Sequence, residues 1–336
     1  MRTIAWLDTD GGAITLIDQR LLPQSARELR IKDYKELIIA IKELAVRGAP
    51  ALGVAGALGV ALIAKTAERE SWSNEKRESA ISELRAARPT AVNLAWGVDQ
   101  VTPLLNDGAS AVLTKAMQIA QEDARANREM GKRGADFLLK KTGKTRLRVL
   151  THCNTGALAT TEWGTAFGVI RELHQRGAIE EVFADETRPL LQGSRLTAWE
   201  LSEAKIPYRI LPDGAAASAL FAGLIDAVLI GADRIARNGD SANKIGSLSV
   251  AVAASQVDVP FLVVAPESTV DRTLSTGKEI EIEFRDDKEV THFAGTEVAP
   301  HGTRTYNPAF DVTPARYITA VVTEANVYEV SNGVSL

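Results

Sequence analysis

The chain has one cysteine, Cys153, in 336 residues. An intrachain disulfide is therefore impossible, and so few thiols fit a reducing compartment, which makes the cytoplasm the expected location. Histidine is nearly as scarce. His152, His174, His292 and His301 are scattered, and no HExxH or CxxC spacing is present to hold a metal. No GxGxxG opens the first βα turn of the C-terminal half and no GxxxxGK[ST] occurs, so no cofactor, metal or nucleotide, is expected. Basic blocks are also lacking. The net charge is −4, from 39 Lys+Arg against 43 Asp+Glu, and nothing in it recommends a nucleic-acid partner. The opening MRTIAWLDTDGG has no long apolar run, so no secretory signal is expected. The longest uncharged run, APALGVAGALGVALIA at 49–64, is shorter than the ~20 residues of a membrane span and carries three glycines. It reads as a buried helix, and no membrane partner is expected.

What is present is ordinary for a soluble globular protein of about two domains: 45% hydrophobic and 24% charged residues. IAWLD and AITLID around TDGG predict an N-terminal hairpin. Asp33 then caps a helix, YKELIIAIKELAV, that ends at Arg47-Gly48. Gly53, Gly56 and Gly59 line one side of the next helix and predict the close approach of another backbone or a ligand near its start. Further helices are expected at 71–86, over VNLAWGVDQV, and from about Ala109 to Met130, where Gly131 and Gly134 loosen the pattern.

Near Gly143 the rhythm changes to strand, helix, strand. RLRVL, EEVFADE, PYRIL, DAVLIGAD, PFLVVAP and YITAVVTE are six strand candidates, with helical segments between the early ones. The fold class is α/β: a mainly helical N-terminal domain (1–135, with the hairpin) followed by a Rossmann-like, doubly wound parallel sheet domain (136–336). The stretch 271–314 reads as an irregular excursion before the last strand.

In such a sheet, ligands bind at the carboxyl ends of the strands. The first strand brings His152, Cys153 and Asn154 there, followed by small residues that let a helix start close by, its amides favouring an anion or thiolate. The second brings Asp185, Glu186 and Arg188, with Gln192-Gly193 opening the next helix. The third brings Asp213. The fourth brings Asp233 and Arg234, then a glycine-bearing loop to Asn243-Lys244 at another helix start, where they suit a phosphate or sugar hydroxyl. Plain roles are open to each: Cys153 as a small buried hydrophobe, Asp233 as a turn cap, Lys244 as a surface lysine, Glu186 and Arg188 as a surface pair. The signal is their coincidence at one sheet edge.

The motifs RGAPA at 47–51, RPTAVNL at 88–94, THCN at 151–154, ETRP at 186–189, QG at 192–193, GADR at 231–234, NKIG at 243–246 and NPAFDVTP at 307–314 resemble, in order, those of the S-methyl-5-thioribose-1-phosphate isomerases. That family shares its superfamily with the regulatory α, β and δ subunits of a translation-initiation guanine-nucleotide exchange factor. The resemblance implies a cytoplasmic homodimer that converts 5-methylthioribose 1-phosphate, a sugar 1-phosphate, to its ketose in methionine salvage, with no cofactor. Carried over by motif, Asp233 is the proton donor and Cys153 the other catalytic residue. Arg47, Gly48, Ala49, Arg88, Gln192, Asn243 and Lys244 bind substrate. LPDGAAA at 211–217 and IGSL at 245–248 depart from the family pattern and leave the 5-substituent open. Isomerases of 5-deoxyribose 1-phosphate or ribose 1,5-bisphosphate remain alternatives, as does a non-catalytic regulatory subunit. Transfer of the C2 hydrogen through an enediolate and by hydride shift are both compatible with these residues.

Overall fold

The computed structural model describes residues 2–9, 11–89 and 91–336. The chain forms two compact units, Met1–Glu129 with Thr155–Gly168, and Met130–Asn154 with Val169–Leu336. The sequence suggested one cut, between 135 and 136. The returning segment is held to the first unit by long-range bonds: Thr3 N–H donates to the Thr161 carbonyl at 2.9 Å, and Gln19 Nε2 donates to the Leu158 carbonyl at 2.7 Å. Nothing local in the sequence marks such ties.

In the first unit β1 (Ile4–Leu7) and β2 (Ala13–Ile17) form the expected antiparallel hairpin. Its TDGG turn includes Asp10, which lies outside the described residues. A third strand, β3 (Glu28–Ile31), pairs antiparallel with β2. Helix α1 (Tyr34–Lys42) starts at its Asp33 cap, whose carboxylate accepts the Lys35 N–H. It stops at Lys42 and not at Arg47, because Leu44 takes a left-handed φ of 63° and Ala45 N–H folds back onto the Ala40 carbonyl.

Helix α2 (Ala49–Glu70) has 22 residues, with every residue from Ala51 to Ala64 buried. It is long and apolar enough to cross a membrane. Its burial inside the unit, against α1, α3 (Asn74–Arg85) and α4 (Val92–Val101), accounts for an apolar surface all round. The glycines admit α4 as expected. A Cβ on Gly97 would lie 1.9 Å from the Gly53 carbonyl oxygen, and one on Gly56 2.5 Å from that of Leu94. Helix α5 (Ala109–Thr142) runs past Met130, where the sequence suggested an end. Gly134 does not break it, and a Cβ there would lie 2.5 Å from Val169 Cγ2, so this glycine serves packing.

The second unit alternates β4 (Leu147–Thr151), α6 (Ala166–Gln175, its first turn in the returning segment), β5 (Ile179–Asp185), α7 (Ala198–Glu203), β6 (Tyr208–Leu211), α8 (Ala215–Phe221) and β7 (Ala227–Ile230). Next come β8 (Arg234–Ala236), β9 (Ser241–Lys244), α9 (Ser247–Gln256), β10 (Phe261–Val264) and β11 (Val270–Asp271). The chain ends with α10 (Lys288–Thr291), β12 (His292–Phe293), β13 (Thr296–Glu297), β14 (Phe310–Thr313), β15 (Ala320–Val322) and β16 (Val327–Tyr328).

The main sheet has the order β16-β15-β10-β7-β4-β5-β6, parallel except for β16. All six expected strands are in it. Counted along the chain, the six parallel strands stand in the order 3-2-1-4-5-6, the doubly wound order, which reverses between β4 and β7. A smaller sheet, β11-β8-β9-β14, was not expected. It replaces the glycine-bearing loop that the sequence suggested between Arg234 and Asn243.

Candidate active site at the carboxyl ends of β4 and β7

β4 and β7 are direct neighbours, with Thr151 opposite Leu229. The chain leaves them into Cys153 and Asp233, so these two residues flank the point where the strand order reverses. Cys153 is buried and adopts φ 65°, a left-handed conformation that is rare outside glycine. Two threonines hold it there. Thr187 Oγ1 accepts the Cys153 N–H at 2.9 Å, and Thr197 Oγ1 donates to the Cys153 carbonyl. Thr187 is itself left-handed, at φ 63°, and Leu191 at 57°. Strained backbone of this kind persists where surrounding bonds overdetermine it, and it gathers at functional sites. Asp233 is half-buried in the bend between β7 and β8, its N–H donating to the Ala242 carbonyl at 2.8 Å.

Behind Cys153 lies a buried polar network. His152 Nδ1 is 2.9 Å from Asp185 Oδ2, and its Nε2 is 2.8 Å from the Ile245 carbonyl oxygen. Asp213 accepts the N–H groups of Thr187 and Arg188, each at 2.7 Å. Burial pushes the Asp185 carboxyl above the usual range, with neighbouring carboxylates adding to it against the opposing effect of His152. Burial works against charge on His152 as well, but the bond to Asp185 and the charges of Asp185 and Asp213 outweigh it, and the imidazole is pushed up.

The ligand atoms of His152, Asp185 and Asp213 lie within 4.8 Å of one another, close enough to suggest a cation site. The donor set does not fit one. Both ring nitrogens are engaged, and both Asp213 oxygens already accept backbone N–H groups.

Three further residues complete this edge. Gln192 is buried, and its Oε1 has no hydrogen-bond partner among the described residues. An orphaned buried acceptor points to a ligand. Asn243 Nδ2 donates to Ser247 Oγ at 2.8 Å. Lys244 Nζ donates to the Ala309 carbonyl at 2.9 Å and stands 4.8 Å above the Phe310 ring.

Residues 45–329 match the model of the Initiation factor 2 subunit family. A methylthioribose-1-phosphate isomerase from Thermoanaerobacter sp. (strain X514) is 46% identical over 97% of this chain and 96% of its own. This chain belongs to that family, on its methylthioribose-1-phosphate isomerase branch. A probable bifunctional methylthioribose-1-phosphate isomerase/methylthioribulose-1-phosphate dehydratase from Nocardia farcinica is 52% identical over 96% of the chain, which spans only 58% of that relative. The crystal structure of 5-methylthioribose 1-phosphate isomerase from Pyrococcus horikoshii OT3 superposes with a TM-score of 0.89 at 40% identity, covering 98% of this chain and 92% of that one.

Against the family's motifs, the second unit brings Cys153, Gln192, Asp233, Asn243 and Lys244 to the carboxyl edge of one sheet and the hairpin beside it. Arg47, Gly48, Ala49 and Arg88 lie in the first unit. Arg47 and Arg88 are half-buried; Gly48 is the N-cap of α2 and Ala49 its first residue. Gly48 has φ 93°, and a Cβ there would lie 2.5 Å from the Ala159 carbonyl oxygen. Arg88 and Pro89 precede α4, and Thr90 of the same motif lies outside the described residues.

Two local expectations are corrected. No helix starts close behind Cys153: a short 3-10 turn at Ala157–Ala159 follows, and α6 begins only at Ala166. Asn243 and Lys244 are not at a helix start but end β9. Asp311 takes two of the N–H groups at the start of α9, those of Gly246 and Leu248, at 2.8 and 3.1 Å.

Sequence reasoning missed Asp311 as that cap and gave no role to Glu200. Glu200 is buried, accepts Asn154 Nδ2 at 2.9 Å and pairs with Arg171. The one signal for Glu200 was a glutamate on the apolar face of an amphipathic segment. Asp311 had only its place in the NPAFDVTP motif.

Proposed function

We propose that the chain is an aldose–ketose isomerase that converts methylthioribose 1-phosphate to methylthioribulose 1-phosphate. The observation that carries this is the placing of Cys153 and Asp233 at the ends of adjacent strands where the sheet order reverses, within a family branch whose relatives bear that name. The phosphate on the anomeric oxygen prevents spontaneous ring opening, so an acid must protonate the ring oxygen as the bond to C1 breaks. Asp233 is assigned that proton. A hydrogen must then move from C2 to C1 while the C2 hydroxyl gives up its proton and becomes a carbonyl, the released proton balancing the one delivered to the ring oxygen; Cys153 is assigned to the transfer between the carbons. The phosphate dianion calls for Arg47, Arg88 and Lys244, with arginine suited to bidentate contact. Gly48, Ala49, Gln192 and Asn243 are the remaining substrate-binding assignments. A regulatory, non-catalytic role would have no use for an acid and a thiol at one strand edge.

The same reading makes the protein a cytoplasmic homodimer acting in methionine salvage. Sedimentation giving a monomer at working concentration would remove the dimer. Activity is tested by comparing turnover of methylthioribose 1-phosphate, 5-deoxyribose 1-phosphate and ribose 1,5-bisphosphate on one purified sample. Methylthioribose 1-phosphate is expected to have the highest kcat/KM. Turnover of none of the three sinks the isomerase reading, and preference for another sugar corrects the substrate.

A further inference from the structure

We propose that His152 and Asp185 are positioning residues of the isomerase site, holding Cys153 and the Asn243–Lys244 segment in register through one buried imidazole and a proton the pair does not release. The inference rests on the functional reading above. Its geometry stands by itself. His152 precedes Cys153 in the chain. Its Nε2 meets the carbonyl of Ile245, the residue after Lys244, and its Nδ1 meets Asp185. Asp185 in turn lies behind Thr187: the Asp185 carbonyl accepts Thr187 Oγ1, which accepts the Cys153 N–H. A single ring thus ties together three chain segments that carry site residues. Gly246, at φ 108°, lets the ring in, because a Cβ there would lie 2.8 Å from His152 Cε1. At 1% exposure the imidazole is shielded from solvent, which suits it to hold its neighbours and not to exchange protons itself.

The proton count follows from the partners. A carbonyl oxygen only accepts, so Nε2 carries a hydrogen. If the Nδ1 proton were absent and Asp185 ionised, two lone pairs would face each other at 2.9 Å with no water between them. One proton therefore stays, either on the ring beside a carboxylate or on Asp185 beside a neutral ring. Both arrangements leave the pair neutral overall and keep the bond. Asp185 Oδ1 accepts no hydrogen bond among the described residues, which makes ionisation there harder still. The charged groups around the pair are Asp213, Glu186 and Asp311, all carboxylates, and they hold the proton in place.

The test uses three variants of the whole protein, read as kcat and KM for methylthioribose 1-phosphate across pH. Asp185→Ala and His152→Gln each break one link and are expected to lower kcat by about 10²-fold, the scale of a small misplacement, with a smaller rise in KM because the Asn243–Lys244 segment loses its tie. Asp185→Asn supplies an amide hydrogen to a neutral ring, so it is expected to retain kcat within about threefold of wild type. Asparagine as damaging as alanine, or alanine and glutamine variants at wild-type kcat, overturns the proposal.

A second measurement needs neither variants nor substrate. In wild type, the imidazole proton facing Asp185 is expected as a downfield NMR signal that persists from about pH 6 to about pH 9, because the shared proton is retained. A ring that titrates near its ordinary value of 6.5 overturns the pair. If the wild-type protein turns over no sugar phosphate, the functional reading falls, while the NMR result still decides the chemistry of the pair.

Discussion

Two buried aspartates stand at opposite ends of the main sheet, and their surroundings push them in opposite directions. At the amino end, just before β7, Asp226 accepts Lys144 Nζ at 2.6 Å, Arg148 N–H at 2.8 Å and Arg148 Nη2 at 3.0 Å. Burial alone would raise its pKa, yet these cationic and backbone donors bring it down to about 2. At the carboxyl end Asp185 is buried more deeply; burial pushes it up, two further carboxylates add to this, and one imidazole opposes it. Burial raises both carboxyls, and only at Asp226 do the partners outweigh it. At the amino end cationic and backbone donors satisfy the charge of Asp226, as suits a structural anchor. The carboxyl end keeps a proton and the orphaned acceptors of Asp185 and Gln192, and there the candidate site lies.

The sharpest way to break this contrast is at the carboxyl end. Cys153→Ser and Asp233→Asn are each expected to cut kcat by ~10²-fold or more while the melting temperature holds. Wild-type turnover by either variant on every candidate sugar phosphate cancels that residue's assignment.

At the amino end the effect should fall on stability alone. A carboxyl held at about 2 against an ordinary 3.8 contributes about 2 kcal/mol at neutral pH. Because the folded value is depressed, this stability is present above about pH 4 and is lost as pH falls toward 2. Asp226→Asn should lose it in denaturant titrations at pH 7, lose much less near pH 2, and leave kcat untouched. The His152–Asp185 pair has the opposite sign. Its contribution is complete below pH 6.5 and declines as pH rises toward the raised folded value. Wild-type stability should therefore fall as pH is taken above 6.5, and a flat profile there would contradict the retained proton.

A smaller effect is expected for Arg88→Ala. Losing one charged phosphate contact should raise KM by about tenfold with a lesser change in kcat, as read in steady-state kinetics. An unchanged KM would remove Arg88 from the substrate-binding set. The smallest belongs to the exposed bidentate pair Arg85–Asp99, at 2.8 and 2.9 Å. Arg85→Ala should cost under about 1 kcal/mol in denaturant titrations, since solvent screens such pairs.

Much of this molecule was legible in the sequence where its interactions are local. The six parallel strands, the Asp33 cap and the glycine face of α2 all follow from periodicity and residue type. Helix ends were read less well. Leu44 terminates α1 through a backbone conformation that its side chain does not advertise, and Gly134 is tolerated in α5 because Val169 fills the space. Cys153 and Asp233 could be named from motif order, and the alternating pattern could place them on the first and fourth strands.

By itself, then, the sequence determined the alternation that makes a doubly wound sheet and the residue types that arrive at its carboxyl edge, because strand and helix periods are properties of neighbouring residues. Only the tertiary structure decided what those residues are. It made Asp226 an ionised anchor and Asp185 the partner of a retained proton. It gave two N–H groups at the start of α9 to Asp311 and returned Thr155–Gly168 to the first unit. Each of these depends on which group, dozens of residues away, is brought within about 3 Å, and no local pattern encodes that meeting.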